Sequence, residues 1–264
     1  MIIMCYEKEY TMGKIIAFSN QKGGIGKTTS AVNIAAAVAK SGKKVLLCDF
    51  DPQGNATSGV GVTKKGDHKT SYDLLTGKAE AHETILQTKF DNLWVMPTNI
   101  GLAGAEYELV SAERREYLMR DQLAPLKDEF DYIMIDCPPS LGILTVGALS
   151  AADGVVIPMV CEYYALEGLS QLMLTIRQVK KRYNPGLEIT GILLTMFDKR
   201  LNLTMQVKAE LERYYKDKLF ETTVVRNVRL SEAPSYGMPI IYYDKSSKGA
   251  VAYTAVAKEL MERI

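Results

Sequence analysis

The chain has 264 residues, of which 47% are hydrophobic and 24% charged, a composition that fits a folded globular protein and excludes disordered and collagen-like classes. Lys+Arg 32 against Asp+Glu 31 leaves a net charge of +1, so affinity for a polyanion has to come from a local basic patch. The two histidines, His68 and His82, and the four scattered cysteines, Cys5, Cys48, Cys137 and Cys161, disfavour a zinc site, a Ser-His-Asp triad and a disulfide framework.

Residues 1–11 carry Glu7, Lys8 and Glu9 ahead of any long apolar run and lack the charge order of a secretory leader. They are read as a disordered extension, with one domain over 12–264. Lys14–Ser19 is a short apolar run ending in a glycine-rich turn, which predicts a buried strand feeding a loop. Ala31, Ile34, Ala35 and Val38 then recur at helical spacing between Thr28 and Lys40, and Ser41-Gly42 supplies the stop. Lys43–Cys48 predicts a second strand, which runs into Asp49-Phe-Asp51-Pro52.

The same alternation continues. Strands are expected at Leu93–Met96, Tyr132–Ile135, Gly154–Pro158 and Ile189–Leu194, and helices at Ala112–Leu126, Leu166–Lys181 and Leu203–Tyr215. A short strand near Thr223, a turn helix near Ser231, a strand at Pro239–Tyr242 and a helix from Ser247 complete the chain. Alternating strands and helices imply an α/β fold with a mostly parallel, twisted sheet covered by helices on both faces. No apolar stretch approaches the ~20 residues that a membrane span needs, and a cytoplasmic location is expected.

Lys22-Gly-Gly-Ile-Gly-Lys27-Thr28-Thr29 lies between a predicted strand and a predicted helix, where backbone N–H groups and the helix dipole form an anion site. It departs from G-x-x-x-x-G-K-[ST] because Gln21 stands at the first glycine position. A dinucleotide G-x-G-x-x-G reading fails as well, since Thr29 occupies the third glycine position. The loop is therefore read as a deviant phosphate loop. Gly23, Gly24, Ile25 and Gly26 wrap phosphate, Lys27 meets the β and γ oxygens, and Thr28 with Thr29 opens the helix. The Thr28 hydroxyl can ligate Mg²⁺, and Asp136, at a strand end, fits a carboxylate contacting it through water. Asp49 and Asp51 lie at the same sheet edge, where alternation turns one of them to the nucleotide, and Asp49 is the one expected at the metal.

Together with these motifs, Asp49-Phe-Asp-Pro-Gln-Gly-Asn-Ala-Thr57, Asp136-Cys-Pro-Pro-Ser140, Cys161-Glu-Tyr-Tyr-Ala-Leu-Glu-Gly168 and Arg226-Asn-Val-Arg-Leu-Ser-Glu-Ala-Pro234 make residues 13–264 resemble the ParA/Soj chromosome-partitioning family. These are deviant Walker ATPases of the MinD/ParA superfamily, with a single P-loop NTPase domain. The resemblance implies a weak, Mg²⁺-dependent and partner-stimulated ATP hydrolase that forms an ATP-sandwich dimer. It makes Lys22 the signature lysine that reaches the partner's phosphates, Gly23 a close dimer contact, and Asp51 the residue that positions the attacking water. Asp49–Thr57 and Cys137–Gly142 resemble switch loops, while Thr195–Asp198 and Arg226–Pro234 resemble the segments that hold adenine.

By the same resemblance, Arg200 and Arg229 match arginines that bind DNA non-specifically, with Arg226 and Lys248 as further candidates; a ParB/Spo0J-like protein is the expected partner and the nucleoid the site of the ATP-bound form. No helix-turn-helix segment precedes the first strand, which disfavours operator binding. The alternative is a MinD-like, membrane-associated division ATPase. Tyr253, Val256, Leu260 and Ile264 do form an apolar stripe, but Lys258, Glu259, Glu262 and Arg263 cancel in charge, and core packing is the expected role of that helix.

Overall fold

The computed structural model describes residues 12–264; the expected extension at 1–11 lies outside them. Seven strands form one sheet in the order β3-β4-β2-β5-β1-β6-β7. They are β1 Lys14–Phe18, β2 Val45–Asp49, β3 Leu86–Gln87, β4 Leu93–Met96, β5 Tyr132–Asp136, β6 Gly154–Val160 and β7 Glu188–Thr195. Helices α1 Lys27–Lys40, α2 Asn55–Gly59, α3 Ser71–Leu75, α4 Leu102–Glu108, α5 Leu118–Leu123 and α6 Ile143–Ala151 come first in the chain. They are followed by α7 Ala165–Arg182, α8 Asn202–Tyr215, α9 Val228–Glu232, α10 Ile240–Tyr243 and α11 Lys248–Arg263.

The apolar strands explain the layers. Ile15, Ala17, Leu46, Cys48, Ile133 and Ile135 face one core with α6 and α7, whereas Ile16, Phe18, Leu47 and Met134 face a second core with α1 and α11. This period of two buries both faces, as helix-covered parallel strands require. The exception is β3, which pairs antiparallel with β4 at the sheet edge through a tight turn in which Asn92 takes φ 58°.

Three expected elements differ. Ala112–Leu126 is not one helix: Arg114 sits at φ 55°, Pro125 falls in a 3₁₀ turn over Ala124–Asp128, and only Leu118–Leu123 is α-helical. Pro239–Tyr242 is not a strand, because the amides of Tyr242 and Tyr243 donate back to the Pro239 carbonyl and wind α10, while Asn33 accepts the Ile240 N–H at 2.7 Å. Near Thr223 the chain makes only isolated bridges, Ile192 with Leu219 and Phe197 with Val225, which cap the open edge of β7. Three of the four residues of the stripe on α11 pack as expected: Tyr253, Val256 and Leu260 are buried, whereas Ile264, past the last turn, is exposed, and the Tyr253 hydroxyl meets Ser30 of α1 at 3.1 Å.

Candidate nucleotide site

The site is assembled by strand register. Phe18 pairs with Asp136, and Asp136 pairs with Asp49, so the ends of β1, β5 and β2 form one row and the phosphate loop leaves beside two carboxylates. Gly24 and Gly26 adopt φ 72° and 88°, a left-handed conformation that glycine takes without strain. The loop is pinned from below, where Thr195 Oγ1 donates to the Ile25 carbonyl at 2.7 Å. The Lys22 N–H donates to Asn20 Oδ1 at 3.1 Å, and Asn20 is in turn anchored to the Pro158 carbonyl of β6.

Lys27 and Thr28 open α1, and Lys27 is buried, its Nζ 3.3 Å from the Lys22 carbonyl. Burial holds its pKa below the ordinary lysine range, opposed first by the Asp136 carboxyl and then by Asp51. Asp136 is fully buried, and neither carboxylate oxygen has a hydrogen-bond partner among the described residues. Its pKa stands well above the usual carboxylate range, first from burial and then from the Asp49 charge; the Thr28 hydroxyl and Lys27 oppose the rise. Asp49 is pushed up to about 6 by burial, offset by Thr57. The Thr57 amide and hydroxyl both donate to Asp49 Oδ2, at 2.7 and 2.8 Å. Asp51 is also buried, accepts the Gln53 N–H at 3.0 Å and donates its own N–H to Asp49 Oδ1 at 3.2 Å.

A buried carboxylate without a partner is costly unless a cation or donor meets it. Asp136 beside the Thr28 hydroxyl and Asp49 is the oxygen donor chemistry of a hard divalent ion. Among the described residues no group of three or more His, Cys, Asp or Glu is spaced to hold a metal, so phosphate and water oxygens would complete the shell, as magnesium prefers. Next to the loop, a cavity of about 530 Å³ is lined by Gly26, Thr195, Met196, Asn227, Pro234 and Tyr253 among others. This is the place expected for a nucleobase.

The remaining expected residues are dispersed. Lys22 is exposed and ion-paired with Glu162 at the entry to α7. A Cβ on Gly23 would meet nothing within 4 Å, so no packing inside this chain demands glycine there. Arg200 is 84% exposed and held by Asp198 through Nε and Nη2 at 2.9 and 2.7 Å. Arg229 pairs with Glu232 at 2.8 Å and Asp244 at 3.6 Å. Arg226 lines the mouth of the base-sized cavity, with Nη2 against Met196 Sδ, and Lys248 is exposed at the start of α11. Thr57 and Glu162 lay within recognised motifs, but their partners, eight and 140 residues away, are visible only in three dimensions.

A family model described as an AAA domain matches residues 13–189. The sporulation initiation inhibitor protein Soj of Bacillus subtilis is 55% identical over 94% of this chain and 98% of its own length. The chromosome partitioning protein ParA of Myxococcus xanthus is 54% identical over 96% and 89%. Among solved structures, cobyrinic acid a,c-diamide synthase from Mycobacterium smegmatis with bound ADP and magnesium superposes with a TM-score of 0.83 at 35% identity, covering 95% of each chain. The chain belongs to the Soj/ParA family of chromosome-partitioning ATPases, of the MinD/ParA superfamily.

Proposed function

We propose that the protein is a Mg·ATP-driven switch. ATP in the phosphate loop joins two copies through Lys22, the pair grips duplex DNA without sequence preference, and hydrolysis releases it. A ParB-like partner stimulates turnover, the cargo is a chromosome or plasmid, and the ATP-bound form associates with the nucleoid in the cytoplasm.

The observation that carries the reading is Asp136: a buried, unpartnered carboxylate in register with Asp49 and beside the phosphate loop. Thr28, Asp49 and Asp136 would hold magnesium, which neutralises charge on the β and γ oxygens when bound. Gly23 to Gly26, Thr28 and Thr29 hold the phosphates with their N–H groups, and Lys27 adds a positive charge whose hydration is already lost. Asp51 orients the attacking water. Lys22 leaves Glu162 to meet the second copy's phosphates. The exposed Arg200 and Arg229, with Arg226 and Lys248, make phosphate contacts that read no bases. Slow intrinsic hydrolysis suits this role, because fast turnover would empty the DNA-bound state. The buried stripe on α11 favours DNA over a lipid surface as the platform.

The test is binding to an arbitrary duplex with ATP, with ADP and without nucleotide, across a salt series. Binding is expected with ATP only, with log affinity falling about 0.9 per phosphate contact for each unit of log salt. Arg200→Ala/Arg229→Ala abolishes it, whereas Asp51→Ala keeps dimer and DNA binding but loses hydrolysis. A protein that dimerises with ATP and binds no DNA overturns the reading.

A further inference from the structure

A continuous set of contacts leads from the strand-end carboxylates to Arg229. Thr57, which clasps Asp49 with two hydrogen bonds, sits on α2, and its hydroxyl also accepts the Thr98 N–H at 3.0 Å. Just past α2, Gly61 takes φ 81° and lies against Gly237, which takes φ 59°. The two backbones touch without side chains between them. A Cβ on Gly237 would stand 2.7 Å from Gly61 Cα, and one on Gly61 would stand 2.9 Å from the Gly237 carbonyl oxygen.

Gly237 closes the 3₁₀ turn Ala233–Tyr236, which continues directly from α9. On α9, Arg229 is gripped by Glu232, and the Tyr243 hydroxyl donates to the same Glu232 oxygen at 3.2 Å. Tyr243 in turn stacks on Tyr236 of the turn, ring centroids 5.1 Å apart. Ala56 and Val60, in and just after α2, share one core with Ala233 and Ile240. A cavity of about 250 Å³ bordered by Thr28, Asn55, Ser58, Ala233, Pro234 and Met238 lies between the start of α1, α2 and the 3₁₀ turn.

We infer that the Gly61–Gly237 contact is a mechanical joint that passes the nucleotide state sensed at Asp49 and Thr57 to Arg229, setting whether its guanidinium is held by Glu232 and Asp244 or offered to a DNA phosphate. This inference rests on the DNA-switch reading above. Packed backbone transmits displacement because nothing soft lies between the two turns to absorb it. Coupling also requires an element with two discrete arrangements. Arg229 supplies one, since a guanidinium exchanges a carboxylate for a phosphate with the same donor fork.

Two measurements on the full chain test the joint. In Gly237→Ala the ratio of DNA affinities with ATP and with ADP should fall at least tenfold, while ATP-dependent dimerisation by sedimentation remains. In the wild type, hydrogen exchange with a non-hydrolysable ATP analogue and Mg²⁺ should change at 54–62 and at 228–237 together. A wild-type affinity ratio in Gly237→Ala, or an unchanged 228–237 segment in the wild type, overturns the joint. If Gly237→Ala does not fold, the wild-type exchange decides alone. A wild type that shows paired exchange but no ATP-dependent DNA binding sinks the DNA reading and the DNA-phosphate role of Arg229 with it, and leaves only the mechanical coupling of 54–62 to 228–237 standing.

Discussion

Arg200 and Asp198 show at single-residue scale how an exposed ion pair competes with a ligand. Two side-chain bonds and one backbone bond from Arg200 hold the Asp198 carboxyl down to about 2, so Arg200 has to give up these bonds to meet a DNA phosphate. A depressed carboxylate pKa adds stability only where the group is ionised. The contribution is complete above about pH 4 and fades as pH falls toward 2, and solvent screening keeps it small. In Arg200→Ala the Asp198 titration, followed by carbon NMR, should therefore move up toward about 3.9; an unmoved midpoint would show that the pair does not persist in solution. The buried carboxylates behave in the opposite way, since burial raises Asp49 and Asp136. Sequence exposed the positions of these aspartates, but the unsatisfied state of Asp136 follows from its register against Asp49 and could not be read from spacing.

Among the elements, α1 and α11 decide how firmly the phosphate loop is held. The two helices pack face to face, with Tyr253 bonded to Ser30, and Val256 and Leu260 fully buried. Removing a buried leucine loses its transfer energy and leaves a cavity. Leu260→Ala should thus cost about 2–5 kcal/mol in denaturant unfolding and leave liposome sedimentation unaltered. A stable variant that changed lipid binding would instead make α11 a surface helix. The periodicity of α7, α8 and α11 was legible because each buries one long stripe, and α1, buried on nearly every side, was legible from its apolar run between the phosphate loop and Ser41-Gly42. Two short regions were not: α10 and the broken region around Arg114 depend on a proline, a left-handed residue and Asn33 from a distant helix, so local apolar runs misled in both places.

For the whole molecule, ligand binding and folding are linked, because the site exists only when β1, β2 and β5 are in register. Mg·ATP at 100 times its dissociation constant should add about 2.7 kcal/mol, a rise in Tm of roughly 5–10 °C. A chelator or Lys27→Ala should remove that rise in a thermal melt with ATP; a variant that melts like the ligated wild type would refute the phosphate role of Lys27. The alternation of the main strands with the long helices, the deviant phosphate loop, the positions of its strand-end aspartates and the family were legible in sequence alone, since each is encoded by residues close together in the chain; β3, α2, α3, α4 and α6 were not. Tertiary structure alone decided the partner of Lys22, the clasp of Thr57 on Asp49, the pairing of Arg200 and Arg229 with acidic neighbours, and the contact of Gly61 with Gly237. The Lys22 and Gly61 contacts juxtapose segments remote in the chain, and the local pairs depend on side-chain orientations that folding fixes and no pattern of nearby residues can specify.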